Sequence, residues 1–223
     1  MRITLCLGGS VLVPDRPDAN FYEKAALVIK KLREKHEVVV VTGGGAVARE
    51  YIDAAKKLGI DETSCHQVGI QVTRLNATLL ALALGSKGPE EDIGKAVMDL
   101  LRGEVPVMGG TTPGQTTDAV AAMLAQMTRS DLLVIVSDVD GVYTEDPKKN
   151  PEAKKLDKIS AENLVKMVDS VIIPGMRMII DPIAARIILR HKIRTIFIGK
   201  EDFERLPQIL EGEKHRGTEV IFE

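Results

Sequence analysis

The chain has 223 residues, of which 44% are hydrophobic and 28% charged, enough to bury a large core as one broad domain or two intimate lobes. A formal charge of -2 and an isoelectric point near 6.1 provide no overall basic field, which argues against nucleic acid as a partner. No apolar stretch approaches the roughly 18 residues of a membrane helix, and the run after Arg2 is too short for a signal peptide; with only two cysteines and no metal-ligand spacing around them, a reducing, cytoplasmic setting without a disulfide is expected.

In chain order, the apolar run Ile3–Leu7 reads as a buried strand ending on Gly8-Gly9-Ser10. A helical pattern over Phe21–Lys35 follows, then a strand at Val38–Val41 ending on Gly43-Gly44-Gly45, with helices at Ala46–Leu58 and Gly69–Leu84. A charged loop from Gly85 to Asp92 precedes a helix at Ile93–Arg102. The strand Val105–Met108 runs into Gly109-Gly110-Thr111 and a helix at Asp118–Met127, and the strand Leu132–Val136 runs into Asp138-Val139-Asp140-Gly141. Beyond a second charged loop, Glu145 to Glu152, come a helix at Ala161–Met167, a strand at Ser170–Ile173, a helix at Pro182–His191, a strand at Thr195–Ile198 and a helix at Phe203–Leu210. Strands alternating with helices imply an α/β fold, a mainly parallel sheet with helices on both faces. Ligands in such sheets sit beyond the carboxyl ends of the strands, where all four glycine clusters fall. A soft division near residue 128 separates two halves of a single domain, 1–128 and 129–223, with nothing linker-like between them.

Each cluster has a plain reading beside a functional one. Gly43-Gly44-Gly45 with Arg49 about one turn into the next helix could converge N–H dipoles and a guanidinium on one anion, or form a tight turn with a solvated arginine. Three consecutive glycines cost chain entropy that a mere turn does not require. The stretch Gly109 to Ala119 combines mobile glycines, four threonines and Asp118; Thr117 or Asp118 is expected as the helix N-cap, yet the whole stretch has enough donors and acceptors to bind a phosphate and read a planar polar ligand. Ser137 to Pro147 carries four acidic residues and Tyr143, suited to a purine, a ribose or a magnesium-bearing phosphate, or to a turn with self-capping aspartates. His66, ahead of a helix beginning near Gly69, reads as a surface or capping histidine, and Asp181, before Pro182, as a helix cap. Neither a phosphate-loop pattern ending in Lys-Ser/Thr nor a complete Gly-x-Gly-x-x-Gly occurs.

Taken together, Gly8-Gly9-Ser10, Gly43-Gly44-Gly45 with Arg49, Gly109-Gly110-Thr111, Thr116-Thr117-Asp118-Ala119 and Asp138 to Tyr143 with Asp146-Pro147 resemble the prokaryotic uridylate kinases of the amino acid kinase superfamily, most closely the archaeal branch. The resemblance implies a three-layer αβα sandwich, one lobe for UMP and one for ATP with Mg²⁺, usually assembled as a homohexamer. By the same resemblance, Gly9, Ser10, Gly45 and Arg49 face the ATP phosphates, Arg49 as the catalytic cation, and Ser137, Tyr143 and Asp146 surround the adenosine. Gly44, His66 and the loop Gly114, Gln115, Thr116, Thr117, Asp118, Ala119, Val120 match the UMP contacts, and no side chain is assigned to a resident metal.

Two positions depart from that pattern. Cys6 stands where family members often carry a lysine that stabilises the transferring phosphoryl group, and His66 stands where an aspartate commonly touches the uridylate ribose. A sister kinase with an acetylglutamate, carbamate or phosphomonoester acceptor, and a nucleotide- or oxyanion-storing assembly without catalysis, stay open at this point.

Overall fold

The computed structural model describes residues 1–86, 88–170 and 180–222. In chain order the elements are β1 (Arg2–Leu7), α1 (Gly9–Leu12), α2 (Ala19–Arg33), β2 (Glu37–Thr42), α3 (Gly45–Lys57), α4 (Glu62–Leu84), α5 (Ile93–Leu101), β3 (Val107–Met108), α6 (Thr117–Thr128), β4 (Leu132–Val136), β5 (Val142–Tyr143), β6 (Lys155–Leu156), β7 (Lys158–Ser160), α7 (Ala161–Ser170), α8 (Pro182–His191), β8 (Thr195–Ile198), α9 (Lys200–Glu204), α10 (Leu206–Leu210) and β9 (Thr218–Ile221). Seven strands form one sheet in the order β3-β2-β1-β4-β8-β9-β7, and β5 and β6 form a separate hairpin. All pairings in the large sheet are parallel except β8 with β9.

Alternation along the strands sorts their side chains onto two faces. Ile3, Leu5, Leu7, Val38, Val40, Val134 and Val136 pack with Phe21, Ile29, Leu80 and Phe203 of α2, α4 and α9. Cys6, Val39, Val41, Leu133 and Ile135 pack on the other face with Leu100, Leu124, Leu164 and Ile188 of α5, α6, α7 and α8. The result is a three-layer αβα sandwich. Register then fixes where the loops emerge: Leu7 lies level with both Thr42 and Val136, so β1, β2 and β4 release their following loops side by side. Strands β1 to β3 lie on one side of the β1–β4 seam, and the strands after residue 128 lie on the other.

Several boundaries differ from the sequence-based expectation, for identifiable reasons. α4 begins at Glu62 instead of near Gly69, with Asp61 as its N-cap accepting the Ser64 N–H at 3.1 Å. Gly69 sits inside that helix facing Ile52 of α3, whose Cδ1 lies 2.9 Å from where a Cβ would stand, and does not mark a helix start. The expected strand Val105–Met108 keeps only Val107–Met108, and Pro106, without an N–H, enters the sheet through its carbonyl, which accepts the Val40 N–H at 3.0 Å. The expected helix Phe203–Leu210 is two helices restarted at Arg205, as Pro207 cannot donate into a continuing ladder. Ser170, expected to open a strand, closes α7, and positions 171–173 lie outside the described residues. The short helix α1 and the strands β5, β6, β7 and β9 had no clear periodic signal; each has five residues or fewer.

Candidate active site

Two glycine loops lock together at the carboxyl ends of β1 and β2. Gly8 donates its N–H to the Val136 carbonyl at 2.9 Å, and Gly43 donates to the Leu7 carbonyl at 2.9 Å. A Cβ built on Gly9 would stand 1.9 Å from the Gly45 nitrogen and 2.8 Å from the Gly44 nitrogen, so only hydrogen fits. Gly45 itself has φ +69, left-handed backbone that favours glycine. Gly9, Gly43 and Gly45 therefore serve backbone-to-backbone contact, which a simple turn would not need, while Gly44 leaves room for Ala48 Cβ. No side chain caps the α3 N-terminus that follows. Ser10 lies in α1 directly after the contact, and Arg49, one turn into α3, is exposed and makes no hydrogen bond or ion pair with the described residues.

Helix α4 ties this cradle to the threonine-rich loop. Asn76 Nδ2 donates to the Gly43 carbonyl at 2.8 Å and the Gly44 carbonyl at 3.3 Å. One turn earlier, Thr73 Oγ1 accepts the Gly110 N–H at 2.6 Å, and Arg74 Nε donates to the Gly110 carbonyl at 3.1 Å. Gly109 has no room for a side chain there, since its Cβ would meet the Arg74 nitrogen at 2.6 Å. Two turns earlier again, His66 Nδ1 accepts the Gly114 N–H at 3.0 Å. His66 is thus inside α4, not ahead of it, and neither caps nor floats free. Asn76, Thr73 and Arg74 were not foreseen from sequence; the available signal was two polar residues, Thr73 and Asn76, three apart and so on one helix face among Ile70, Val72, Ala77 and Leu80.

Thr116, not Thr117 or Asp118, is the N-cap of α6, its Oγ1 accepting the Ala119 N–H at 3.2 Å. That frees Asp118 for a different contact: the buried Cys6 thiol donates to Asp118 Oδ1 at 3.4 Å. Burial, then the Asp118 charge, push the Cys6 thiol well up, so it stays protonated and can donate. Burial also raises the Asp118 carboxyl, opposed by the Cys6 hydrogen bond and reinforced by the charge of Asp181. Asp181 is the cap expected of it, accepting the Ile183 N–H at 2.7 Å and the Ala184 N–H at 3.2 Å. Ala119 and Val120 are fully buried in α6, so any contact they offer a ligand is through backbone.

Beyond β4, Ser137 Oγ accepts the Val139 N–H at 3.2 Å. Tyr143 donates to Asp140 Oδ1 at 2.6 Å, which pushes the phenol up to about 12. Burial works against the Asp140 carboxyl, but Tyr143 and Lys155 together hold it below its usual range. Asp146 caps its own turn, Oδ1 accepting the Lys148 N–H at 3.0 Å, so the self-capping reading of this segment holds for that residue. A cavity of about 440 Å³ opens beside these residues, lined by Asp138, Asp140, Gly199, Lys200, Asp202 and Arg216 among others. The structure thus brings Gly9, Ser10, Gly44, Gly45 and the start of α3 into one cradle, joins it through α4 to the Gly109–Thr116 loop, and sets Ser137 beyond Val136 on the neighbouring strand.

Residues 1–199 match the amino acid kinase family. The chain is 50% identical to the uridylate kinase of Pyrococcus abyssi over 224 aligned positions and to that of Thermococcus sibiricus over the same length, each alignment covering 99% of both chains. Among solved structures it is similar to the uridylate kinase of Archaeoglobus fulgidus, with a TM-score of 0.87, 40% identity, and coverage of 99% of this chain and 100% of that one. The chain belongs to the amino acid kinase family, among its uridylate kinases.

Proposed function

We propose that this chain transfers the γ-phosphoryl group of Mg-ATP to UMP, giving UDP and ADP, by direct in-line attack of a UMP phosphate oxygen. That oxygen is already anionic near neutral pH, so the reaction needs positioning and charge neutralisation and no general base. The observation that carries the reading is the shared seam: the glycine cradle and the threonine-rich loop hang from consecutive turns of one face of α4, through Asn76, Thr73 and Arg74. In this assignment Gly9, Ser10, Gly45 and Arg49 hold the ATP phosphates, Ser137, Tyr143 and Asp146 the adenosine, and Gly44 and Gly114 to Val120 the uridylate, with His66 serving that loop through Gly114. The half of the chain before residue 128 is then the acceptor lobe and the remainder the ATP lobe. Magnesium enters with the triphosphate and neutralises its oxygens; Arg49, which no described residue engages, supplies the remaining positive charge.

An ADP-release assay with a panel of acceptors tests this. Turnover with UMP and none with acetylglutamate or carbamate is the expected result; turnover only with a carboxylate or carbamate acceptor would overturn it. ATP binding without any turnover would favour the storage reading, to which the uncharged Cys6 beside Asp118 lends its one structural support. We place the protein in the cytoplasm as a homohexamer, an assembly that light scattering on the purified chain checks directly.

A further inference from the structure

Thr112, Pro113, Gly114 and Gln115 form a β-turn closed by the Gln115 N–H on the Thr112 carbonyl at 3.2 Å. Proline at the second position and glycine with φ +83 at the third are the requirements of a type II turn. Types I and II differ in the orientation of the peptide plane between those two residues: flipping it sends the Gly114 N–H and the Pro113 carbonyl to opposite sides of the loop. Pro113 suits both types, and a Cβ on Gly114 would meet nothing within 4 Å, so local packing does not choose between them.

We infer that His66 is a positioning residue which fixes that peptide plane, and with it the acceptor loop, by taking the Gly114 N–H on Nδ1. The 3.0 Å bond requires Nδ1 unprotonated, so the neutral ring carries its proton on Nε2. Other anchors of the loop act elsewhere. Thr73 and Arg74 hold Gly110 at its root, and Thr111 Oγ1 clasps Gln115 Oε1 at 3.2 Å across its neck. Among the described residues, only the His66 contact, from the second turn of α4, reaches the turn's central peptide. Because α4 also holds Gly43 and Gly44 through Asn76, the loop tip and the glycine cradle share one rigid reference. The effect on catalysis rests on the UMP kinase reading above; the latch itself does not.

The test uses side chains that mimic one ring nitrogen at a time. Asparagine sets its carbonyl oxygen where Nδ1 stands, glutamine reaches to Nε2, and histidine and asparagine have similar helix propensities. In the free protein, amide hydrogen exchange at Gly114 should speed up roughly three- to ten-fold in His66→Ala and His66→Gln, the loss expected of one exposed neutral hydrogen bond, and return toward the parent rate in His66→Asn. Steady-state kinetics should follow the same order, with the acceptor KM up by a similar factor and kcat within about two-fold, as expected when only the fraction of loop in the binding-competent form falls. Equal exchange in all four proteins overturns the latch whatever the enzyme phosphorylates. Exchange that follows the predicted order with an unchanged acceptor KM refutes the positioning role while leaving the hydrogen bond in place.

Discussion

Gly9→Ala is the sharpest test of the cradle. The added methyl group would lie 1.9 Å from the Gly45 nitrogen, where ordinary contact begins near 3.4 Å, so the loops after β1 and β2 must part by about 1.5 Å. All three atoms it meets first are backbone, so no rotamer change can relieve the contact. Both loops are also fixed to their strands, Gly43 to Leu7 and Gly8 to Val136, so the displacement is borne at the cradle itself. A misplacement of about 1 Å in a positioning element costs on the order of a hundred-fold in rate, about 2.7 kcal/mol of transition-state stabilisation. The assay is kcat/KM for ATP at saturating UMP, alongside circular dichroism to verify that the sheet survives. A folded Gly9→Ala protein with kcat/KM within two-fold of the parent would refute the argument that this backbone contact builds the phosphate site.

Three further outcomes are expected. Arg49→Ala should lower turnover far more than it weakens ATP binding and leave thermal stability unchanged, since no described residue engages the guanidinium; unchanged turnover in steady-state kinetics would remove Arg49 from the mechanism. Asn76→Leu, which leaves the buried Gly43 carbonyl without its side-chain donor, should cost about 1–3 kcal/mol in urea denaturation and impair activity with it. Asp118→Asn should make the protein more stable at neutral pH while abolishing most activity. The Asp118 carboxyl is raised in the fold, so its contribution to stability is full below its ordinary titration range, near pH 4, and is lost as pH rises through the raised value; the stability gap to the variant should therefore close on acidification toward about pH 4.

The parts of the fold that were legible in the sequence are those built from long periodic runs. β1, β2, β4 and β8 are short apolar stretches buried on both faces, and the helices between them carry clear apolar stripes. The edge of the sheet was not legible: β9 reads Thr218-Glu219-Val220-Ile221, half polar, and joins antiparallel to β8 only through tertiary pairing. The site divided in the same way. Glycines at strand ends announced the cradle because steric exclusion of a side chain is a local property with a residue-type signature. The hydrogen bonds from α4 to those loops were invisible because Asn76 and Gly43 are 33 residues apart, and nothing in either neighbourhood marks the partner. Gly69 misled for a physical reason, since glycine disfavours helix in isolation but here lies within the long α4, whose start is set by the Asp61 cap.

Charge at the seam follows from the same alternation that builds the core. Cys6 points to the face of the sheet that α6 covers, which places its side chain against Asp118 at the start of that helix. A protonated thiol satisfies one lone pair of the carboxylate but cancels none of its charge. A cation at position 6 would neutralise Asp118 permanently; with cysteine there, the carboxylate keeps whatever charge the pH allows, and in the proposed reaction it would face the phosphates with that charge. In the proposed reaction, neutralisation then has to arrive with the substrates, through magnesium, or from Arg49, one turn into α3. Turnover in this chain should accordingly depend more steeply on magnesium and on Arg49 than it would with a fixed positive charge at position 6, because those two are the cations the proposed mechanism assigns to the phosphoryl group in transit.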